Sequence, residues 1–428
     1  MSEENSNYTG SQGKFSVFIF VPKVKGGDLV PVRLDNRDIV ELYFIEDIYA
    51  ISMVGKLTFI DTMGMVEFLP FTGNEYIAIK FGEEKEEEVI FDIFSVENIE
   101  QFSQAVSSGQ NIIEMYISDP TFRKHSQFRY SKGWKNTLIS DIVKDIATHM
   151  MGVKSFVQFE PSNEKIDFYM PYWTPGEAIR WLSQRASGAE TNRPGYVFYM
   201  NRDGCNFVTL EKLFQNTKIE MSDKKKPLYY RFTSIDEPGY INTFLNWQIS
   251  SVDSQALQTL RGGTRMGFDF FTKSLIKKTY TYADTIQKFT LVGNRTLFPD
   301  ISSNTTKFIY TGEEDEKMMD NIFYSEFIKR YSVQMALISL LQGHERRQCG
   351  GMVEVQWLSS ERSEYINKSM EGKYLIKQIT HQFSSKSSPT YRQKVVFMRN
   401  AYSESDARNL VKATKFSRET NVRRIGKS

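Results

Sequence analysis

The residue types that could do chemistry in this chain are few and scattered. The four histidines, His125, His149, His344 and His381, form no His-Glu-x-x-His pair and share no metal-ligand spacing with cysteine or carboxylate. His344-Glu-Arg-Arg347 opens like a metalloprotease helix and then lacks the second histidine. Cys205 and Cys349 lie far apart, which offers neither a zinc site nor a disulfide framework and suits a reducing compartment. Arg261-Gly-Gly-Thr-Arg-Met-Gly267 joins two arginines to glycines, a composition that could cradle a phosphate. It matches neither the P-loop nor the dinucleotide fingerprint, and a tight turn or bulge between strands would use the same residues. There is no Gly-x-Ser-x-Gly elbow, and no acid pair stands out, because the acidic residues fall in solvated turns. No catalytic residue, cofactor or metal is expected.

Charge narrows the partners. The 428 residues carry a net charge of only +2, so no global basic field would recruit nucleic acid or an anionic membrane. Two local acidic runs stand out: Glu83, Glu84, Glu86, Glu87 and Glu88 around Lys85, and Glu313 to Glu316. They read either as solvated loop tips or as negative loops facing a channel, where they would repel phosphates and let DNA slide. Residues 401–428 turn basic, with Arg408, Lys412, Lys415, Arg418, Arg423 and Arg424. The first 13 residues are polar and lack the basic start and apolar core of a signal peptide, and no run approaches about 18 apolar residues. A soluble, unexported chain without stable membrane insertion is the expectation.

The elements that must position these residues are mostly strands. With 40% apolar and 14% aromatic residues, the chain has material for two to four domains. After a flexible arm at 1–13, strands recur at roughly 8 to 12 residue spacing through 14–118, which argues for an antiparallel barrel or sandwich. Then comes a unit of different character. Thr174 is an N-cap, Pro175 takes the first helical position, and Glu177 completes a capping box. Apolar Ala178, Ile179, Trp181, Leu182 and Ala186 fall on one side, and Gly188 is the expected stop. Tyr196–Met200, the turn Asn201–Gly204 and Phe207–Leu210 predict a hairpin, giving a helix packed on a hairpin. Thr137–Met150 reads as an amphipathic helix, and Phe323–Leu341 as a helix with apolar residues on more than one face.

These motifs, in this order, resemble one family. A strand ending at Asp61, the turn Thr62-Met-Gly64, Leu69-Pro70 and Gly73-x-Glu75 before an alternating strand are similar to the first tube-like domain of the central hub proteins of phage tail baseplates. That family includes the T4-type hub, its relatives in Mu-like phages and the spike proteins of type VI secretion. Arg129-Tyr-Ser-Lys132 with its following helix, the Pro171–Phe214 unit, Phe268-Asp-Phe-Phe-Thr-Lys273, Gly372–Phe383 and Tyr391–Met398 continue the likeness from about Phe15 to about Arg399.

The resemblance implies an α+β, mostly β chain: two tube-like antiparallel β-barrel or sandwich domains plus an α+β domain. It implies interleaving, with 14–118 as the first tube-like domain, 119–224 plus 261–334 as the α+β hub domain, and 225–260 plus 335–400 as the second tube-like domain. Domains in plain chain order remain the alternative. It further implies a structural protein of the virion, assembled in the host cytoplasm. Three copies would place six barrels in a pseudo-sixfold ring between a hexameric tail tube and a trimeric spike, beside baseplate wedge proteins, around a channel for DNA. Residues 401–428 would dock the spike, or form an ordinary disordered tail. Other readings are a tail-borne cell-wall hydrolase, a DNA-handling module, or the hub of a type VI-like or bacteriocin apparatus.

Overall fold

The computed structural model describes residues 15–22, 29–62, 64–65, 75–82, 87–101, 110–215, 221–222, 226–227, 229–231, 241–242, 246–249, 262–269, 272–293, 308–310, 315–333, 336–343, 347–356, 372–384 and 390–401. Alternating side chains build the first module from β1 (Phe15–Pro22), β2 (Leu29–Arg33), β3 (Ile39–Asp47), β4 (Val54–Ile60), β5 (Tyr76–Phe81), β6 (Glu87–Gln101) and β7 (Gln110–Ser118). They run antiparallel in the order β2-β1-β5-β6-β7-β4-β3. Every second residue, such as Val17, Ile19, Ile77, Ile79, Met115 and Ile117, points into a shared apolar core. Gly55 allows β4 to press against β3, because any side chain there would collide with the Tyr43 carbonyl.

The central region packs helices on small sheets. It comprises α1 (Phe122–Ser126), β8 (Tyr130–Leu138), α2 (Ile139–Asp145), a π-helical turn at Ile146–Met150, β9 (Phe156–Phe159), β10 (Lys165–Trp173), α3 (Pro175–Arg185), β11 (Tyr196–Asn201), β12 (Gly204–Thr209) and α4 (Leu210–Gln215). The start of α3 is the capping box read from the sequence: Glu177 N–H donates to Thr174 Oγ1 at 3.2 Å and Thr174 N–H to Glu177 Oε2 at 2.8 Å. Its Ala178, Ile179 and Leu182 pack with Tyr196, Phe198 and Phe207 of the β11–β12 hairpin, so the expected helix on a hairpin is present.

The rest comprises β13 (Met221–Ser222), β14 (Lys226–Pro227), β15 (Tyr229–Arg231), β16 (Ile241–Asn242), β17 (Asn246–Ile249), β18 (Gly262–Asp269), β19 (Ser274–Thr281), α5 (Tyr282–Ile286), β20 (Phe308–Tyr310), α6 (Glu316–Val333), β21 (Ala336–Gln342), β22 (Met352–Gln356), β23 (Gly372–Ser384) and β24 (Thr390–Met398). Strands β18, β19 and β20 form a separate sheet. A second module is drawn from separated stretches: β17 pairs with β21, β15 with β22, and β24 with both β21 and β23.

One strand joins the two modules. The first half of β23, Gly372–Leu375, pairs with β22, and Gln378–Phe383 on the same edge pairs with β3. Its other edge is taken by β24, with a register shift between Ile376 and Gln378 where the partner changes. The result is one 14-stranded sheet, running among the described residues from β2 at one end to β16 and β17 at the other. The fold is thus α+β and mostly β, with two β modules, but they share a sheet and no closed barrel occurs among the described residues.

Three local expectations are corrected. Helix α3 ends at Arg185, where Ala186 turns extended; Gly188 is small because the Glu160 carboxylate fills the space of a side chain. Within the expected helix Phe323–Leu341, α6 stops at Val333 and Ala336–Gln342 is a strand. Most of the glycine-arginine stretch, from Gly262 on, is the start of strand β18, paired along its length with β19.

Candidate functional site

A buried polar cluster lies where the modules and the hairpin meet. Glu46 on β3, Arg202 in the β11–β12 turn, and His381, Tyr391 and Gln393 on β23 and β24 converge with Arg347. Arg202 Nε donates to Glu46 Oε1 at 2.7 Å, with both side chains almost wholly buried. Cys349 N–H donates to Glu46 Oε2 at 3.3 Å, and Arg202 reaches the Arg347 carbonyl. His381 stacks on Phe44 with ring centres 4.2 Å apart and faces Glu46 Oε1 at 3.4 Å. Its Nδ1 lies 2.7 Å from the Tyr391 hydroxyl, which in turn accepts from Gln393 Nε2 at 2.7 Å. Beside the cluster, Lys377 Nζ meets Asp47 Oδ2 at 2.8 Å.

The electrostatics assign protonation states. Burial alone would raise the Glu46 carboxyl, but Arg202 and then His381 outweigh it and hold it at about 2. Burial, opposed by Glu46, holds His381 down at about 4, so the ring is neutral at physiological pH. The cluster is therefore an ion pair with a neutral imidazole, a three-way clasp rather than a proton-transfer centre. Burial pushes the Cys349 thiol well up, and likewise Cys205 in the central core, so neither offers a thiolate nucleophile.

Other sequence candidates are dispersed. His125 is buried and held at about 4 by burial, and His149 is exposed beside Asp145 at 3.0 Å. Glu87 and Glu88 open β6, where Glu88 faces Lys80 at 3.6 Å and the charge of Glu87 reaches the buried Arg202. Glu83, Glu84, Glu86, His344 and the basic residues Arg408, Lys412, Lys415, Arg418, Arg423 and Arg424 lie outside the described residues. Among the described residues no three His, Cys, Asp or Glu side chains are grouped to hold a metal ion. Besides Glu46, sequence reasoning missed the buried carboxylates Glu160 and Glu164. Glu160 accepts from Thr209 Oγ1 at 2.7 Å and Thr191 Oγ1 at 2.8 Å, and Glu164 from Ser187 Oγ at 2.6 Å and Asn321 Nδ2 at 3.1 Å. These bonds pin the loop after α3 to neighbouring elements.

A cavity of about 500 Å³ opens between the turn after β3, helix α3, strand β11 and the end of α6. Its lining combines Ile48, Ile51, Ile179 and Phe198 with Arg180, Lys329 and Arg330, and among the described residues includes no carboxylate or imidazole.

Comparison with known proteins gives the fold a context. No family model matches the chain. The tail protein from Neisseria meningitidis MC58 superposes with a TM-score of 0.56 at 11% identity, covering 90% of this chain and 96% of that one. The chain has a tail-protein fold. The 43 kDa tail protein of prophage MuSo2 from Shewanella oneidensis gives 0.53 at 10% identity over 90% of this chain and 98% of its own. A curated relative, the probable baseplate hub protein gp334 of Vibrio phage KVP40, is 24% identical over 160 residues. That match spans 36% of this chain and 37% of the relative. Both comparisons fall on the group that the sequence resembles. Within the tail-protein fold, the clasp at Glu46 is where the two β modules are locked side by side. Among the described residues no helix is long and apolar enough to cross a membrane.

Proposed function

We propose that this chain is the central hub of a phage tail baseplate, a structural part rather than an enzyme. The observation that carries the reading is the pairing of β3 with β23, which sets two β modules, of seven strands each among the described residues, side by side in one chain. Three such chains place six modules around an axis, matching a sixfold tube on one face and a threefold spike on the other. The outer strands, β2 at one end and β16 and β17 at the other, supply unlike edges that can meet head to tail and close the ring. The domains would then be 14–118, 119–224 with 261–334, and 225–260 with 335–400. In this arrangement the acidic run, through Glu83, Glu84, Glu86 and Glu88, would face the channel and let DNA pass without binding, while the charge of Glu87 acts inward on Arg202. Residues 401–428, through Arg408 to Arg424, engage the spike, and wedge proteins surround the ring. The setting is the virion tail, with assembly in the host cytoplasm.

The cell-wall hydrolase reading finds no support in the geometry. Among the described residues the cavity is lined by no acid pair, and Glu160 and Glu164 are taken up by hydrogen bonds within the fold. Sedimentation equilibrium tests the hub reading: a mass of three chains is expected, and a monomer at all concentrations would remove its basis.

A further inference from the structure

The cavity beside α6 has a composition that the hub reading does not use. Its floor is apolar and buried, formed by Ile48, Ile51, Ile179 and Phe198. Its cations are Lys329 in the wall and the exposed Arg180 and Arg330. The wall is held in place, since Tyr49 Oη donates to the Lys329 carbonyl at 3.2 Å. Neither Lys329 nor Arg180 has a side-chain hydrogen bond or ion pair among the described residues. The carboxylates of neighbouring elements make their direct contacts with other groups, Glu326 with Arg265 at 2.9 Å, Asp47 with Lys377 at 2.8 Å and Glu177 with the α3 cap, and Glu326 and Glu177 act on Lys329 and Arg180 only through their more distant charge. Burial, opposed only by Glu326, holds the Lys329 ammonium down at about 8, which marks a charge short of a counter-ion. A volume of about 500 Å³ lies within the range of sites that enclose a ligand.

We propose that this cavity receives an acidic-apolar segment of a partner protein, one carboxylate meeting Lys329 and Arg180 while an adjacent large apolar side chain fills the floor. Charge complementarity selects this occupant. A purely apolar ligand would leave the Lys329 ammonium without a carboxylate at the cavity wall, and a basic one would be repelled. The inference needs only the folded chain and stands independently of the hub assignment.

Fluorescence anisotropy on the full-length protein tests it. The probe is a labelled peptide, Asp-Glu-Leu-Phe-Glu-Asp, beside one version with lysine at every acidic position and another with serine in place of Leu and Phe. Saturable binding of the first alone is expected, weakening with added salt. Lys329→Met and Arg180→Gln should each weaken it about tenfold or more, the worth of a charge-assisted hydrogen bond. Arg180 is exposed, so its variant keeps the fold even if Lys329→Met does not. Arg37→Gln, at an exposed Arg37–Asp35 pair away from the cavity, should leave binding unchanged. The proposal is overturned by equal binding of the lysine version, by unchanged affinity in Arg180→Gln, or by no saturable binding at millimolar peptide. A peptide of residues 83–88 binding as tightly would assign the cavity to a second copy and overturn it as well.

Discussion

Glu46 is wholly buried and still ionised, because Arg202 stands 2.7 Å away and outweighs the cost of desolvation. A buried pair of this kind contributes little net stability compared with an apolar replacement of both partners, yet breaking it from one side is costly. Glu46→Gln leaves the buried Arg202 charged with only the more distant charge of Glu87 to oppose it, and should lower unfolding stability by about 3–5 kcal/mol in chemical denaturation. Acid should act through His381. The unfolded ring takes up its proton near 6.5 and the folded one only near 4, so stability falls as pH drops between those values, by up to about 3 kcal/mol. Below 4.5, Glu46 adds to the loss, since its folded carboxyl stays ionised down to about 2. Thermal melts from pH 7 to pH 4 should show the decline, and His381→Gln should make it shallower; an unchanged slope would refute the assignment. None of this clasp was legible in the sequence. Glu46 and Arg202 are 156 residues apart, and Glu46 and Cys349 are 303 apart, with no local pattern marking either pair.

Among the elements, legibility followed local chemistry. The Thr174–Glu177 box and the Asn201–Gly204 turn specify their own geometry within a few residues, and both appear as read. Where an apolar run carries no punctuation, period alone could not separate helix from strand, and α6 was extended through Ile338–Leu341, which are strand β21. Gly188 misled because its smallness serves the Glu160 carboxylate rather than a helix end. Gly55 and Gly372 both lie near the starts of strands, and those strands, β4 and β23, flank β3 on its two sides. Gly55→Ala would force β4 away from the Tyr43 carbonyl and should cost about 1–3 kcal/mol, read as a lowered denaturation midpoint. An unchanged midpoint would mean that β3 and β4 have room to separate.

At the scale of the whole molecule, the outer strands of the sheet, which border one neighbour each among the described residues, matter most. On β2, Leu29 and Val30 are more than a third exposed on a strand bordered by β1 alone among the described residues. An exposed apolar edge invites pairing with another chain, and charge at that edge prevents it. If the proposed trimer closes through this edge, the double substitution Leu29→Lys with Val30→Lys should reduce it to single chains while leaving the melting temperature nearly unchanged, which sedimentation and calorimetry can check together. The general plan, mostly β with a helix packed on a hairpin, was legible from the order of motifs. The sharing of one sheet through β23 was not, because it depends on a strand that changes partner midway along one edge. Single-particle imaging of the purified protein bears most directly on the central claim: a threefold ring with six β lobes around an open channel, two lobes per chain, is predicted. A particle with one chain, or an open filament without closure, would contradict it.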